Sequence, residues 1–176
     1  MTNFKPTEIP KGFVLVIDTD EKKSLFRKKP PKKLFGQILP VKIGENNLKV
    51  KFEALSVGDY SIQGFEDRVC VERKQLSDFD AFIGKERVRK TMPKLERMYD
   101  MFWAGLAIEC SERELFGKRK YGKMTPEHTR GFLKVVEVRY NVHTYRSKDR
   151  IKLERWILDR LCCVYETLMK TKGVVK

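Results

Sequence analysis

Asp59 and Glu72 are the acids whose spacing first suggests chemistry, because Glu72 is followed two residues later by Lys74. Two carboxylates can hold a divalent cation such as Mg2+ or Mn2+, hard ions that take oxygen ligands and retain several waters. Phosphodiester hydrolysis needs a nucleophilic water, an offset for the charge developing on phosphorus, and a stabilised leaving oxygen. A bound divalent cation contributes to each. A lysine beside the acids adds fixed positive charge for a water or a phosphate. The same residues, taken by spacing alone, also describe an ion-pair network on a surface hairpin.

The elements around them must bring them together. Gly58-Asp59-Tyr60 reads as a turn entering a strand, Tyr60 to Gln63. Gly64 to Asp67 reads as a hairpin turn, and Val69 to Glu72 as the returning strand. Such a hairpin brings Asp59 near Glu72. Side chains alternate along a strand, so Glu72 and Lys74 share one face and Arg73 points away. The carbonyl between them can turn towards a cation. Arg73 is then placed to clamp a neighbouring phosphate or to pair with Asp78. Phe13 to Ile17 is an apolar run that reads as a buried strand. Asp18 and Glu21 follow its end, where they offer a second cation position or hydrogen bonds to the first ligands.

The rest of the chain reads as a scaffold. Leu48 to Phe52 alternates as a half-buried strand. Residues 75–101 read as largely helical, with Leu76, Phe79, Phe82 and Ile83 on one face and a break at Gly84. A second helix carries Leu95, Met98, Tyr99 and Phe102, with Pro93 near its start. Trp103 to Glu109 is another strand. Thr125 and Pro126 open a further helix with Phe132, Val135, Val136 and Val138. Asn141 to Tyr145 is a short strand, and Ser147 is the expected cap of a last helix running past Leu168. Trp103 and Trp156 read as core residues. The order predicts one α/β domain over residues 1–176, with a mixed central β-sheet flanked by helices.

The charge points to the partner. With 38 basic and 24 acidic residues the net charge is +14, which favours a polyanion. Nucleic acid is the first candidate, and an anionic membrane surface the rival. No apolar run approaches the ~18–20 residues needed to span a bilayer, so no membrane role is expected. Basic residues gather at Arg27, Lys28, Lys29, Lys32 and Lys33, and again at Arg87, Arg89 and Lys90. Each group reads either as solvated surface or as a set of phosphate contacts. Cys70, Cys110, Cys162 and Cys163 lack zinc-type spacing and read as reduced structural thiols. His128 and His143, fifteen residues apart with no acid or Cys at ligand spacing, read as structural. The N-terminus lacks a signal core. The expected location is intracellular with access to DNA, in cytoplasm, nucleoid or nucleus.

Three strings occur in order: Val16 to Glu21, Val57-Gly58-Asp59-Tyr60, and Val71 to Asp78. Together they resemble the XPF/MUS-type nuclease family, which includes the archaeal Hef nuclease. The family pattern is Asp-x-x-Glu after the first strand, a Gly-Asp-Tyr-like step, then Glu-Arg-Lys-x-x-x-Asp. The resemblance covers roughly residues 13–170. It implies a restriction-endonuclease-like core and metal-dependent cleavage of branched, flapped or forked DNA in repair, recombination or replication. By position it makes Asp59 and Glu72 the metal ligands for Mg2+ or Mn2+ and Lys74 the catalytic lysine, with Asp18, Glu21, Arg73 and Asp78 supporting and Glu109 at the site's edge.

Two departures accompany the match. Relatives often carry Gln or Glu four residues before the Leu or Met of an Arg-Leu pair in the next helix. Here Arg97-Met98 fits the pair and Lys94 takes the earlier position. Many relatives also continue into a tandem helix-hairpin-helix module, for which this sequence leaves no room, so a homodimer or a separate DNA-binding partner protein remains open. The alternatives to a DNA endonuclease are a non-catalytic DNA-binding subunit on the same fold and a nuclease that also cuts RNA.

Overall fold

Alternating apolar residues at Leu15 and Ile17, Val69 and Val71, and Leu106 and Ile108 build a sheet buried on both faces. The computed structural model describes residues 8–21, 24–26, 30–43, 46–117 and 124–174, with side chains at all of these except 46, 85–88 and 172–174. Its strands are β1 (Leu15–Asp18), β2 (Ile38–Ile43), β3 (Asn46–Glu53), β4 (Tyr60–Ile62), β5 (Val69–Gln75), β6 (Trp103–Glu109) and β7 (Val142–Arg146). The helices are α1 (Leu76–Ile83), α2 (Lys85–Tyr99), α3 (Glu112–Leu115), α4 (Pro126–Tyr140) and α5 (Arg150–Val174).

Among the described residues the strands form one sheet in the order β2-β3-β1-β4-β5-β6-β7. It is mixed, as the element order predicts. β1 pairs parallel with β3 and antiparallel with β4. β4 meets β5 antiparallel, while β5, β6 and β7 run parallel. Two apolar clusters cover its faces. Ile17, Tyr60, Val71 and Ala107 pack with Leu153, Ile157 and Leu161 of α5. Cys70, Leu106 and Ile108 pack with Phe79 of α1, Leu95 and Met98 of α2 and Val136 of α4. Successive residues of β5 therefore serve opposite layers, α5 on one side and α1, α2 and α4 on the other.

The structure corrects several local expectations. β2 is an additional strand beyond those expected from the sequence. It pairs only with β3 at the sheet edge, where Pro40 is tolerated because its missing N–H faces no second neighbour. Pro93 lies inside α2, which already begins at Lys85. Tyr99 and Phe102 are exposed, so the buried face of that helix is Leu95 and Met98. The last helix starts at Arg150. Asp149 Oδ1 accepts from the Ile151 N–H at 2.9 Å, and Ser147 Oγ instead holds the preceding turn through the Asp149 N–H at 3.1 Å. Thr125 does cap α4, accepting from the His128 N–H at 3.3 Å, with Pro126 as the first helical residue. Trp103 and Trp156 pack together, half-buried, with centroids 6.2 Å apart. The four cysteines are free thiols. No helix among the described residues is long and apolar enough to cross a membrane.

Candidate active site and nucleic-acid cleft

The turn before β4 sets the site. Gly58 has φ +84°, a backbone state that side chains resist, and a Cβ there would come within 2.9 Å of Cys70 Cβ and 3.1 Å of the Val71 carbonyl oxygen. The close approach stitches Asp59 between two strands. Its N–H donates to Val71 O at 2.8 Å, and its carbonyl accepts from the Asp18 N–H at 2.9 Å. Its carboxylate Oδ2 accepts from the Arg73 N–H at 2.6 Å. Asp59 thus reaches the β5 segment that carries Glu72 and Lys74.

Glu72 faces the α1–α2 layer and is only 1% exposed. Its Oε1 accepts from Lys74 Nζ, the neighbour two residues on, and from Lys94 Nζ of α2 at 2.7 Å. Its Oε2 is buried with no hydrogen-bond partner. Lys74 Nζ also lies 5.6 Å from the Phe82 ring centroid. Burial would push the Glu72 carboxyl up, but the ammonium groups of Lys74 and Lys94 outweigh it and hold it below the ordinary carboxylate range. Burial would lower the Lys74 ammonium, and the Glu72 carboxylate more than reverses this, so Lys74 is held as a cation. Asp59 is pushed up to about 7, first by burial and then by the nearby Glu72 charge, although the Arg73 N–H and Lys74 oppose the shift.

Two openings share Lys74 and Asp78. One, of about 290 Å³, is lined by Asp20, Glu21, Asp59, Arg73, Lys74, Gln75 and Asp78. The other, of about 460 Å³, is lined by Lys74, Asp78, Phe82, Lys90, Thr91 and Lys94. Asp78 is exposed in the first turn of α1, at the boundary between them.

Arg73 serves the opposite face and takes a different part from the one expected. It does not pair with Asp78, although both line the smaller opening. Its Nη1 lies 3.3 Å from both carboxylate oxygens of Glu21, and its Nη2 pairs with Glu109 Oε2. Glu109 Oε1 continues to Arg150 of α5 at 2.8 Å. Glu21 is thus held by Arg73 while it lines the smaller opening together with Asp59. Asp18 has a local task as well, its Oδ1 accepting from the Leu55 N–H at 3.0 Å.

Of the basic candidates, Lys90 lines the larger opening. Lys32 and Lys33 are exposed in a short 3-10 turn, Arg89 is exposed on α2, and none of the three lines either opening. Arg27, Lys28 and Lys29 lie outside the described residues, as does the Arg87 side chain. Lys94 enters the site, although from sequence it stands out only as one of the helix's basic residues and as a departure from the family pattern. Its spacing of four from Lys90, one helical turn, was the signal that both share a face. His143 stacks on Trp103 at 5.7 Å and His128 is exposed at the other end of α4, so the two histidines form no site.

The donor set fits a divalent cation of the Mg2+ type. A buried carboxylate oxygen without a partner is costly unless something positive completes it, and Glu72 Oε2 is such an atom. Among the described residues no group of three or more His, Cys, Asp or Glu is gathered for a metal. Two carboxylates and retained waters nonetheless suit Mg2+, which rarely occupies an all-protein cage.

The fold and motifs are those of a known class. The ERCC4 domain model matches residues 17–159, and the chain belongs to that family, with an XPF-type nuclease domain. Among solved structures it is similar to XPF from Aeropyrum pernix, with TM-score 0.58 and 17% identity over 91% of this chain and 69% of that one. A second structure, XPF from Aeropyrum pernix in complex with DNA, matches with TM-score 0.58 and 17% identity over 88% of this chain and 66% of that one. None of the curated proteins compared with the chain is a match.

Proposed function

We propose that the protein is a divalent-metal-dependent DNA endonuclease that hydrolyses phosphodiester bonds in branched, flapped or forked DNA. The observation that carries this reading is the buried Glu72, with Oε2 unpartnered and Oε1 held by Lys74 and Lys94, its charge acting on Asp59 in the adjoining opening. The net charge of +14 and the DNA complex of a structurally similar XPF support nucleic acid as the substrate.

Asp59 and Glu72 would hold the ion, Mg2+ or Mn2+. When bound, such an ion acidifies a coordinated water and offsets charge on the phosphoryl group. The protein's own groups do the rest. Lys74, held as a cation by Glu72, presents positive charge to the scissile phosphate and orients a water. Lys90 sits along the adjoining opening, where it meets flanking phosphates. Arg73 lines the smaller opening and is anchored there by two carboxylates. It locks the hairpin to Glu21 and Glu109, fixing the acids from behind.

The test is a panel of flap, fork, splayed and linear substrates, DNA and RNA, incubated with Mg2+, with Mn2+ or with chelator. Cleavage that needs metal, and that Asp59→Asn and Glu72→Gln abolish while DNA binding survives, is the expected result. Normal cleavage by Glu72→Gln, or full activity in chelator, would overturn it. Binding without cleavage of any substrate would make the protein a DNA-binding subunit on the nuclease fold.

A further inference from the structure

A single carboxylate oxygen in this protein carries two ammonium groups. Glu72 Oε1 is ion-paired with both Lys74 and Lys94. Lys74 is there because strand alternation puts residues 72 and 74 on one side. Lys94 is there for another reason, since it reaches in from α2 and its side chain keeps 31% of its exposure. With all four groups ionised, Asp59, Glu72, Lys74 and Lys94 sum to zero charge. The protein has therefore already balanced its two acids. A divalent ion entering this set brings two uncompensated positive charges into a partly desolvated place, which is unfavourable. Lys94 is the more exposed of the two lysines, is borne on a helix, and lines the opening together with Lys90.

We propose that Lys94 is a resident counter-cation of the metal centre, which occupies Glu72 and thereby weakens divalent-ion binding. The inference rests on Asp59 and Glu72 being the metal ligands. It makes Lys94 a positioning residue that sets the metal requirement through Glu72.

The experiment is Mn2+ titration of the full chain without nucleic acid, read by calorimetry or by electron paramagnetic resonance. Wild type, Lys94→Gln, Lys94→Arg, Glu72→Gln and the Glu72→Gln/Lys94→Gln double variant are compared. Lys94→Gln binds Mn2+ about tenfold tighter or more, the scale of removing one charge beside a divalent ion. Lys94→Arg, which keeps the charge, stays within about threefold of wild type. Loss of a merely structural contact would not tighten binding, nor would arginine reverse it. Unchanged or weaker binding by Lys94→Gln overturns the role of Lys94, while Glu72-dependent binding by wild type leaves the metal centre standing. Equal tightening in the double variant also overturns it, because Lys94 would then not act through Glu72. Mn2+ binding by wild type that Glu72→Gln leaves intact overturns the assignment of the metal ligands, and Lys94's role with it.

Discussion

Arg73 and Glu109 lie on neighbouring parallel strands, with Ala107 directly opposite Arg73, and their side chains pair across the α5 face of the sheet. Glu21 joins from the loop after β1 and Arg150 from α5, so four charged residues from distant parts of the chain form one ionic line, buried at Glu21 and Arg73 and exposed at Arg150. Removing Arg73 takes the cation from the buried Glu21 carboxylate, while Glu109 keeps Arg150. Arg73→Ala should cost about 3–5 kcal/mol of stability, the usual penalty for breaking a buried pair. The shift in urea midpoint measures it, and a loss below about 1 kcal/mol would mean the line is not structural.

Asp59 gives a pH dependence. Its carboxyl is raised from 3.8 to about 7 in the folded protein. A raised folded-state value means that the native state holds the proton more tightly. This contribution to stability is complete below about pH 4 and is lost as pH rises towards 7. In chelator, Asp59→Asn should therefore be more stable than wild type at pH 8 and little different near pH 4. Chemical unfolding across that range gives the comparison. Equal pH slopes for the two proteins would refute the burial of this charge.

Gly58 is required by space as well as by φ. An alanine there must clear Cys70 Cβ and the Val71 carbonyl in a left-handed conformation. Gly58→Ala should lose about 1–3 kcal/mol and displace Asp59, so that Mn2+ binding falls along with stability. Full metal affinity in a destabilised Gly58→Ala protein would separate the turn from the site.

Lys74→Met removes the cation nearest the acids. Single-turnover cleavage should slow by about a hundredfold or more, while binding to the same DNA persists. A matching loss of binding would assign Lys74 to affinity instead.

Lys90→Ala should weaken binding similarly on every sequence and reduce the slope of log affinity against log salt by about one. A sequence-selective effect would place Lys90 against bases.

The legible part of the site was the part that depends on local geometry. Glu72, Lys74 and Asp59 follow from strand alternation and a short hairpin, both readable within sixteen residues. The partners of Arg73 were hidden, because Glu21 and Glu109 stand 52 and 36 positions away and meet it only through the sheet. Lys94 was hidden for a similar reason, since α2 must pack over the sheet before Lys94, 22 positions away in sequence, touches Glu72. The fold was readable in its strand and helix order. β2 escaped because Pro40 and an exposed alternating pattern resemble a loop until β3 is beside it. Pro93 misled the start of α2, as proline favours a first turn but is sometimes carried inside a helix.

β5 behaves like a reading frame. Odd positions from Val69 to Arg73 look towards α5 and end in the ionic line, while Cys70, Glu72 and Lys74 look towards α2 and hold the chemistry. Inserting or deleting one residue ahead of Glu72 would exchange the two sets, turning Arg73 towards α2 and Glu72 with Lys74 into the apolar layer beneath α5. Variation in length is therefore confined to the hairpin tip at Gly64, or must come in pairs of residues, if lineages descended from this protein are to keep their acids facing the cleft.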